Sequence, residues 1–459
     1  MKKLKPSFIV FTLLIFLTLD ISLALGESLE EYIEYGINNN LTLNRKEISC
    51  RQSINALKVA RGKFLPAVTI EARYSRAGGG RIIDFPVGDL MNPVYSTLNE
   101  YLAAIGAEPQ FPMNIPNERI PFLREEEHET KLRLTQPIFH PSILYNYRIR
   151  GNMAQIAQYD QIIFRKELKR DITIALYNYI KTVHVVNLYE ETVDLLKENL
   201  RVSEKLYEIG KVTQANVFRA EAELSEVEQN RADAIKNRKL ARSYFNFLLN
   251  RPHSTPVNVK SEDLASEYFY HSSLDSVQSE ALARREELNK IGAAIDIARN
   301  QLNMVRGKFL PNVSVVFDYG YQGEKYRFTA EDDYWMGSVV LQWNLFNGFQ
   351  DIAEHQEKQL EIRKNRIQQQ EIQNQIKLQV QQALDETIVA VKKIETATQR
   401  LQSARKSFKI ISKKYEQGMA SQIEYIDSRT SLTNAEINLI LEKFDYQIKR
   451  AELDWVAGK

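Results

Sequence analysis

The chain has 459 residues, of which 61 are Lys or Arg and 59 are Asp or Glu, and its formal net charge is +2. This balance argues against a nucleic-acid-binding protein, because such proteins carry a clear excess of basic residues. Only 44% of the residues are hydrophobic, which suits long helices with solvated faces better than one large globular core. Cys50 is the single cysteine, so an internal disulfide is excluded.

The first 26 residues have the pattern of a secretory signal peptide. Basic residues precede an apolar stretch at 8–19, and small residues at 24–26 are those that a signal peptidase reads. We expect residues 1–26 to be removed on export. An uncleaved membrane anchor is the alternative, which Asp20 disfavours because it interrupts a short apolar run. Beyond residue 26 no stretch of about 18 apolar residues occurs, so a membrane crossing would have to use strands.

The rest of the sequence contains an internal duplication. The hexapeptide RGKFLP occurs at residues 61–66 and again at 306–311. Each copy follows a helix-like segment and precedes an alternating one. A second match pairs YEIG at 207–210 with YEQG at 415–418. Two matches in the same order indicate a duplicated fold.

These matches divide the mature chain into two predicted structural repeats joined by a linker. The first repeat covers residues 27–250, the linker or equatorial segment 251–276, and the second repeat 277–459. Each repeat is predicted to hold a helix, a β-hairpin, a very long helix and a return helix. Residues 76–127 of the first repeat are rich in glycine and proline, a composition typical of a long loop.

The segments that follow the RGKFLP copies alternate between apolar and polar residues, as expected for strands whose faces see different environments. Each repeat also offers a return strand, so the chain has four predicted strands. Their apolar positions are Val68, Ile70, Ala72, Tyr74, Leu132, Leu134, Ile138, Val313, Val315, Phe317, Tyr319, Tyr321, Val339, Leu341, Trp343 and Leu345. Alternation alone fits a half-buried soluble sheet as well as a transmembrane β-barrel. Four strands cannot close a barrel, whereas three chains give twelve strands, enough for a water-filled lumen.

Two stretches predict very long helices. Residues 350–417 contain no Gly or Pro, and a continuous helix over them would be about 100 Å long. Residues 142–209 parallel them. A heptad register in the second stretch is formed by Val380, Thr387, Ile394, Leu401, Phe408 and Tyr415, alternating with Ala383, Ala390, Ala397 and Ala404. This register predicts close coiled-coil packing, either in the wall of a hollow cylinder or in a solid rod.

A glycine turn follows each predicted long helix. Gly210 and Gly418 suit the left-handed conformation of a helix C-cap, and Thr213 or Ser421 stands where it can cap the returning helix.

The order, duplication and spacing of these motifs resemble the TolC-like outer membrane factor family, the outer membrane efflux proteins. The RGKFLP segments resemble the family's helix-to-strand junction, and the Tyr-x-x-Gly segments resemble its periplasmic helix turns. Residues 247–252, FLLNRP, are similar to its link to the equatorial region.

The resemblance implies an α+β membrane protein. Its fold would be a homotrimer with a twelve-stranded outer membrane β-barrel, continued by a long α-helical coiled-coil barrel across the periplasm. The implied function is that of the exit duct of a multidrug efflux pump or a type I secretion system. Such a duct is a passive conduit that works with an inner membrane transporter of the RND or ABC type and a periplasmic adaptor.

The resemblance also implies functional positions at the helix turns. The family's pore constriction falls at Glu424 and Asp427. Three chains would bring six carboxylates together, which attracts cations. Ordinary first-turn acids favoured by the helix dipole are the alternative. The family's gate tyrosine corresponds to Tyr415, but its partner position is Asn216 and the family's arginine position is Ala420, so we do not expect the family's gate bonds.

Adaptor proteins of the family dock near both turns. Gly210, Lys211, Gly418 and Met419 are therefore candidate adaptor contacts, and plain helix C-caps are the alternative reading of the same residues.

Chemical motifs are scarce elsewhere. The six histidines are scattered, and no phosphate-binding glycine loop or nucleophile–base signature is present. We therefore expect no metal site, no cofactor and no enzymatic activity. Two alternatives to a channel remain at this point: a structural periplasmic coiled-coil protein without channel activity, and an exported enzyme.

Overall fold

A computed structural model describes residues 27–259 and 273–459. The predicted signal peptide at 1–26 lies outside the described residues, and so do residues 260–272 of the predicted linker.

The described part of the first half contains five helices and four strands. In chain order these are α1 (Leu29–Asn39), α2 (Leu41–Gly62), β1 (Ala67–Arg76), β2 (Ile82–Phe85), α3 (Val87–Ala104), β3 (Glu118–Pro121), β4 (Glu126–Phe139), α4 (Pro141–Glu208) and α5 (Gln214–Leu248). The described part of the second half contains α6 (Leu274–Arg284), α7 (Glu286–Gly307), β5 (Asn312–Gly323), β6 (Asp333–Gln342), α8 (Gln350–Glu416) and α9 (Gln422–Val456).

Helix lengths show the duplication directly. Both α1 and α6 have 11 residues, both α2 and α7 have 22, and both α5 and α9 have 35. The two long helices, α4 and α8, have 68 and 67 residues. The predicted fold class, an internally duplicated α+β chain with very long helices and four main strands, is confirmed.

Each half begins with two helices where one was expected. The first break is at Asn40, whose backbone is extended and whose Oδ1 accepts hydrogen bonds from the backbone N–H groups of Thr42 and Leu43 at 2.9 and 3.1 Å. Asn40 therefore ends α1 and caps the N-terminus of α2. In the second half, the extended backbone of Arg285 separates α6 from α7.

The four main strands form one antiparallel sheet in the order β1-β4-β5-β6. Ile70, Leu132, Tyr319 and Trp335 are successive neighbours across it and share one face. Ile70 and Trp335 are 77% and 72% exposed. The alternation read from the sequence is therefore present as an apolar, exposed face, and β1 and β6 are the two edges of the sheet.

The opposite face of the sheet carries charged side chains. Arg133 on β4 forms a bidentate ion pair with Asp318 on β5, with both N···O distances at 2.8 Å. Asp318 is only 1% exposed. Lys131 pairs with Glu129 at 2.8 Å, and Arg133 also reaches Glu71 at 3.2 Å. Arg133 thus pairs with acids on both neighbouring strands and Lys131 with an acid on its own strand, so these carboxylates are paired within the sheet.

Residues 76–127, expected as a long loop, contain secondary structure of their own. Strands β2 and β3 form a two-stranded ribbon, and α3 lies between them in the chain. Proline does not prevent this, because Pro86 occupies the N-cap of α3 and Pro93 is tolerated inside it.

The long helices are held by packed apolar seams. In the first half Tyr32, Leu168, Ile172, Phe245 and Leu249 form the centre of a core between α1, α4 and α5. The corresponding core of the second half lies between α6, α8 and α9 and includes Val277, Ala281, Val380, Leu384 and Leu453. The predicted heptad seam is confirmed along the middle of α8, where the buried members are Val380, Ala383, Thr387, Ala390, Ile394, Ala397 and Leu401.

The chain divides into two compact units. One consists of residues 57–148 and 300–357, which include the sheet and the insertion, and the other of the described residues 27–56, 149–259, 273–299 and 358–459. Each unit takes residues from both sequence repeats. Within 27–259 and 273–459, no helix has a segment both long and apolar enough to pass through a lipid bilayer.

Candidate functional site

The turn between α4 and α5 is a glycine C-cap. Gly210 has a φ of +72°, and its N–H donates to the Tyr207 carbonyl at 2.8 Å. The N–H of Lys211 donates to the Leu206 carbonyl, also at 2.8 Å. These two bonds are those of a Schellman motif, which needs a left-handed residue that glycine adopts without steric cost.

The turn between α8 and α9 repeats this geometry. Gly418 has a φ of +73°, its N–H donates to the Tyr415 carbonyl at 3.0 Å, and the N–H of Met419 donates to the Lys414 carbonyl at 2.7 Å. The C-caps predicted at Gly210 and Gly418 are confirmed. Lys211 and Met419 are both exposed, and Met419 presents 67% of its surface.

The two return helices start differently. Ser421 forms a complete capping box: its N–H donates to Glu424 Oε2 at 2.7 Å, and its Oγ accepts from the Glu424 N–H at 3.2 Å. The predicted cap is therefore confirmed at Ser421. Thr213 is the N-cap of α5 but makes no side-chain cap hydrogen bond, because its Oγ1 donates instead to Asn216 Oδ1 at 2.8 Å. The N-cap position predicted for Thr213 is confirmed, although its side chain does not bond to the helix backbone.

Glu424 and Asp427, the predicted constriction residues, lie three positions apart near the start of α9, and both are exposed. The hydrogen bond from the Ser421 backbone lowers the pKa of Glu424, and the Ser421 hydroxyl and the positive charge of Lys414 act in the same direction. Glu424 is thus a first-turn acid with a capping role, as the alternative reading expected. Asp427 is the sixth residue of α9 and lies beyond the first turn, so that reading is wrong for Asp427.

Gln422 connects the start of α9 to the first half of the chain. The residue is buried, with 4% of its surface exposed. Its Nε2 donates to the Asn216 carbonyl at 2.9 Å and to Ser203 Oγ at 3.1 Å. Ser203 in turn donates to the Asn199 carbonyl at 2.9 Å. One amide group therefore holds α9 to both the end of α4 and the start of α5.

Tyr415 reaches the same group of residues from α8. Burial raises the pKa of the Tyr415 hydroxyl, and interaction with the Ser203 side chain acts in the opposite direction. Its ring stacks on Tyr425 with 4.8 Å between the centroids. The two predicted gate residues, Tyr415 and Asn216, are therefore brought to one network, in which Ser203 and Gln422 connect them.

Ser203 and Gln422 were not predicted as functional residues. A signal existed for Ser203, because it lies seven residues after Leu196, at the next position of the α4 seam, where an apolar residue is expected. Gln422 carries no such signal, since glutamine is common in the first turn of a helix.

Residues 277–459 match the family model described as outer membrane efflux protein. This match covers the second half of the chain and shows what these residues are similar to. The resemblance read from the sequence motifs is thereby confirmed, and the matched residues contain the second turn, Gln422 and both candidate constriction residues.

Solved structures extend the likeness to the whole fold. The CmeC outer membrane channel of Campylobacter jejuni is 15% identical over 94% of this chain and 86% of its own, with a TM-score of 0.76. The outer membrane protein VceC of Vibrio cholerae is 13% identical over 94% and 96% of the two chains, with a TM-score of 0.75. The open state of the MtrE outer membrane channel of Neisseria gonorrhoeae is 14% identical over 94% and 88%, with a TM-score of 0.74. At these identities the likeness establishes the fold alone. A comparison with curated protein sequences finds no match.

Among the residues that the structure describes, no group of three or more His, Cys, Asp or Glu side chains is placed to hold a metal ion.

Proposed function

We propose that this protein is an outer membrane channel, the exit duct of an efflux pump or of a type I secretion system. The observation that carries the proposal is the four-stranded sheet with an apolar exposed face, a charged opposite face and two open edges. Such a sheet is stable in lipid only if its edges are paired, because each unpaired backbone group in hydrocarbon costs several kcal/mol. The match of residues 277–459 to the outer membrane efflux proteins supports the same function.

Edge pairing requires several copies of the chain. In the proposed assembly β1 of one copy pairs with β6 of the next, and three copies close a twelve-stranded barrel. The apolar faces contact outer membrane lipid and the ion-paired faces line the lumen. The long helices extend the conduit into the periplasm.

The proposed gate lies at the two helix turns. Glu424 and Asp427 of three copies form a ring of six carboxylates that sets a preference for cations. Gln422 keeps the two helical hairpins of each chain together through Asn216 and Ser203, and the gate region also includes Tyr415. Separation of the hairpins requires the bonds of Gln422 to break, so this amide acts as the latch of the closed state.

The proposed partners act on the same end of the molecule. The exposed turn residues Gly210, Lys211, Gly418 and Met419 are the contacts for a periplasmic adaptor, which links the channel to an inner membrane transporter of the RND or ABC type. Adaptor binding at the turns is well placed to break the bonds of Gln422, which lies four residues after Gly418.

The test is purification from outer membrane fractions followed by planar-bilayer recording. We expect a detergent-solubilised trimer, a heat-sensitive oligomer on a gel and discrete conductance steps. A monomer that dissolves fully without detergent would overturn the proposal. A soluble periplasmic oligomer without conductance would instead support the structural coiled-coil alternative.

A further inference from the structure

The insertion between β1 and β4 is a folded unit built around α3. Asn92 and the backbone of Ile115 exchange two hydrogen bonds, at 2.9 and 2.8 Å. Asn99, only 7% exposed, binds both the carbonyl and the N–H of Phe111, at 2.9 and 3.1 Å. The ring of Phe111 stacks on Tyr95 with 5.3 Å between the centroids. Residues 110–117 are therefore held as a strap along one side of α3.

A second side of α3 is apolar and exposed. Its large side chains recur at intervals of four, four, three and four residues, which places them within about 80° of one another on the helix. They are Leu90 at 63% exposure, Val94 at 49%, Leu98 at 38%, Tyr101 at 66% and Ile105 at 62%. We call this surface the α3 stripe. Five large apolar side chains in a continuous row mark a surface that is normally covered by another molecule.

The position of the insertion indicates what covers the stripe. The insertion begins directly after Arg76, the last residue of β1, and ends at Glu126, the first residue of β4. It therefore lies at the opposite end of these strands from the residues that lead into α4. Because β1 is an edge of the sheet, the insertion starts from the strand that has to pair with the next copy of the chain.

We propose that the α3 stripes of three copies pack against one another and form a lid over the outer mouth of the channel. The occupant of each stripe is thus a second copy of this chain. The lid rests on the proposed function, since it needs the trimer in which β1 meets the neighbouring β6. Cyclic symmetry brings the three insertions to the same level around the mouth, where apolar stripes that extend toward the axis cover one another. The lid adds a second barrier, outside the cell, to the gate at the helix turns.

Two single-cysteine variants test the lid. The natural Cys50 is buried and is first replaced through Cys50→Ala. Val94→Cys then places a thiol on the α3 stripe, and Glu100→Cys places one on an exposed side of the same helix about 120° away. Both sites are exposed in the single chain, so neither substitution disturbs a packed core.

Intact cells are labelled with a bulky membrane-impermeant maleimide, and a second sample is treated with a short bis-maleimide. We expect the Val94→Cys variant to be labelled at least fivefold more slowly than the Glu100→Cys variant, and cross-linked between copies at least tenfold more. Equal labelling of the two variants would overturn the lid, because the stripe would then be open to water. Slow labelling without cross-linking would also overturn it and would show that lipid or another protein covers the stripe.

The two proposals fail in different ways. If both variants are trimeric and conduct ions but Val94→Cys is not cross-linked, the lid alone is refuted. If the protein is monomeric, the proposed function and the lid are refuted together.

Discussion

Replacing Gln422 with alanine tests the link between the two helical hairpins. The substitution removes the hydrogen bonds to the Asn216 carbonyl and to Ser203 Oγ, which are 2.9 and 3.1 Å long. A neutral hydrogen bond contributes about 0.5–1.5 kcal/mol to stability, so the loss of two weakens the closed state by about 1–3 kcal/mol. That free energy corresponds to a shift of about 5- to 150-fold in the equilibrium between closed and open states.

Single-channel recording in planar bilayers measures this shift as the open probability. Gln382→Ala is the matched control, because it removes one glutamine hydrogen bond, to Glu386 at 2.8 Å, from the exposed surface of α8. We expect a higher open probability for Gln422→Ala and no change for Gln382→Ala. The reasoning is refuted if trimeric Gln422→Ala opens as rarely as the unaltered protein.

The Gln422→Glu variant separates the hydrogen bonds from the volume of the side chain. An ionised carboxylate cannot donate to the Asn216 carbonyl, whereas a protonated carboxyl group can. The variant is therefore expected to open more often at neutral pH and to close again as the pH falls through the pKa of the new group. An open probability independent of pH would argue against a latch made by this donor.

Three further predictions concern the turns and the sheet. Gly418→Ala puts a side chain at a φ of +73° and is expected to lower the free energy of unfolding by about 1 kcal/mol. Gly292→Ala, in the middle of α7 with open space around it, is expected to raise the free energy of unfolding by about 0.5–1 kcal/mol. Thermal unfolding measures both variants, and equal effects would contradict the C-cap argument. Glu424→Gln keeps a capping box but removes the charge. Together with Asp427→Asn it should abolish cation preference in bilayer recordings without loss of the trimer. Unchanged ion selectivity would leave Glu424 with its capping role alone. Because the pKa of Glu424 is lowered in the folded state, its stabilising effect is complete above the ordinary glutamate pKa and is lost as the pH falls through the lowered value. This pH dependence of the unfolding temperature should disappear in the Glu424→Gln variant. Asp318→Ala leaves the Arg133 guanidinium without its bidentate partner, and we expect the trimer to dissociate at a lower temperature than the unaltered protein. A dissociation midpoint within error of the unaltered protein would show that the pair is dispensable.

Features that depend on neighbouring residues in the chain were predictable from the sequence. The glycine turns follow from the conformations that Gly210 and Gly418 adopt, and the seam of α8 follows from its seven-residue period. The alternation along β5 likewise indicates which side chains share a face, because the strand period is two.

Features that depend on distant residues were not predictable. The break at Asn40 is fixed partly by a hydrogen bond from its side chain to the Leu248 carbonyl, 208 residues away. The contacts of Gln422 span 206 and 219 residues. Within the insertion, α3 was obscured by the turn-forming composition around it, and the bonds of Asn99 to Phe111 that anchor the strap leave no periodic pattern in the sequence. Residue types that are ordinary in their local context acquire these roles only through the tertiary fold.

The near-identical lengths of the two long helices restrict how this chain can change during evolution. One inserted residue advances a helix by about 1.5 Å and turns everything beyond it by about 100°. In α8 such an insertion would swing Ala390 and Ala397 away from the neighbouring helix and put a bulkier side chain in their place. Whole heptads avoid this rotation, but a heptad added to α8 alone would leave α4 shorter by about 10 Å. Viable length variants of this protein should therefore differ by multiples of seven residues, gained or lost in both halves together.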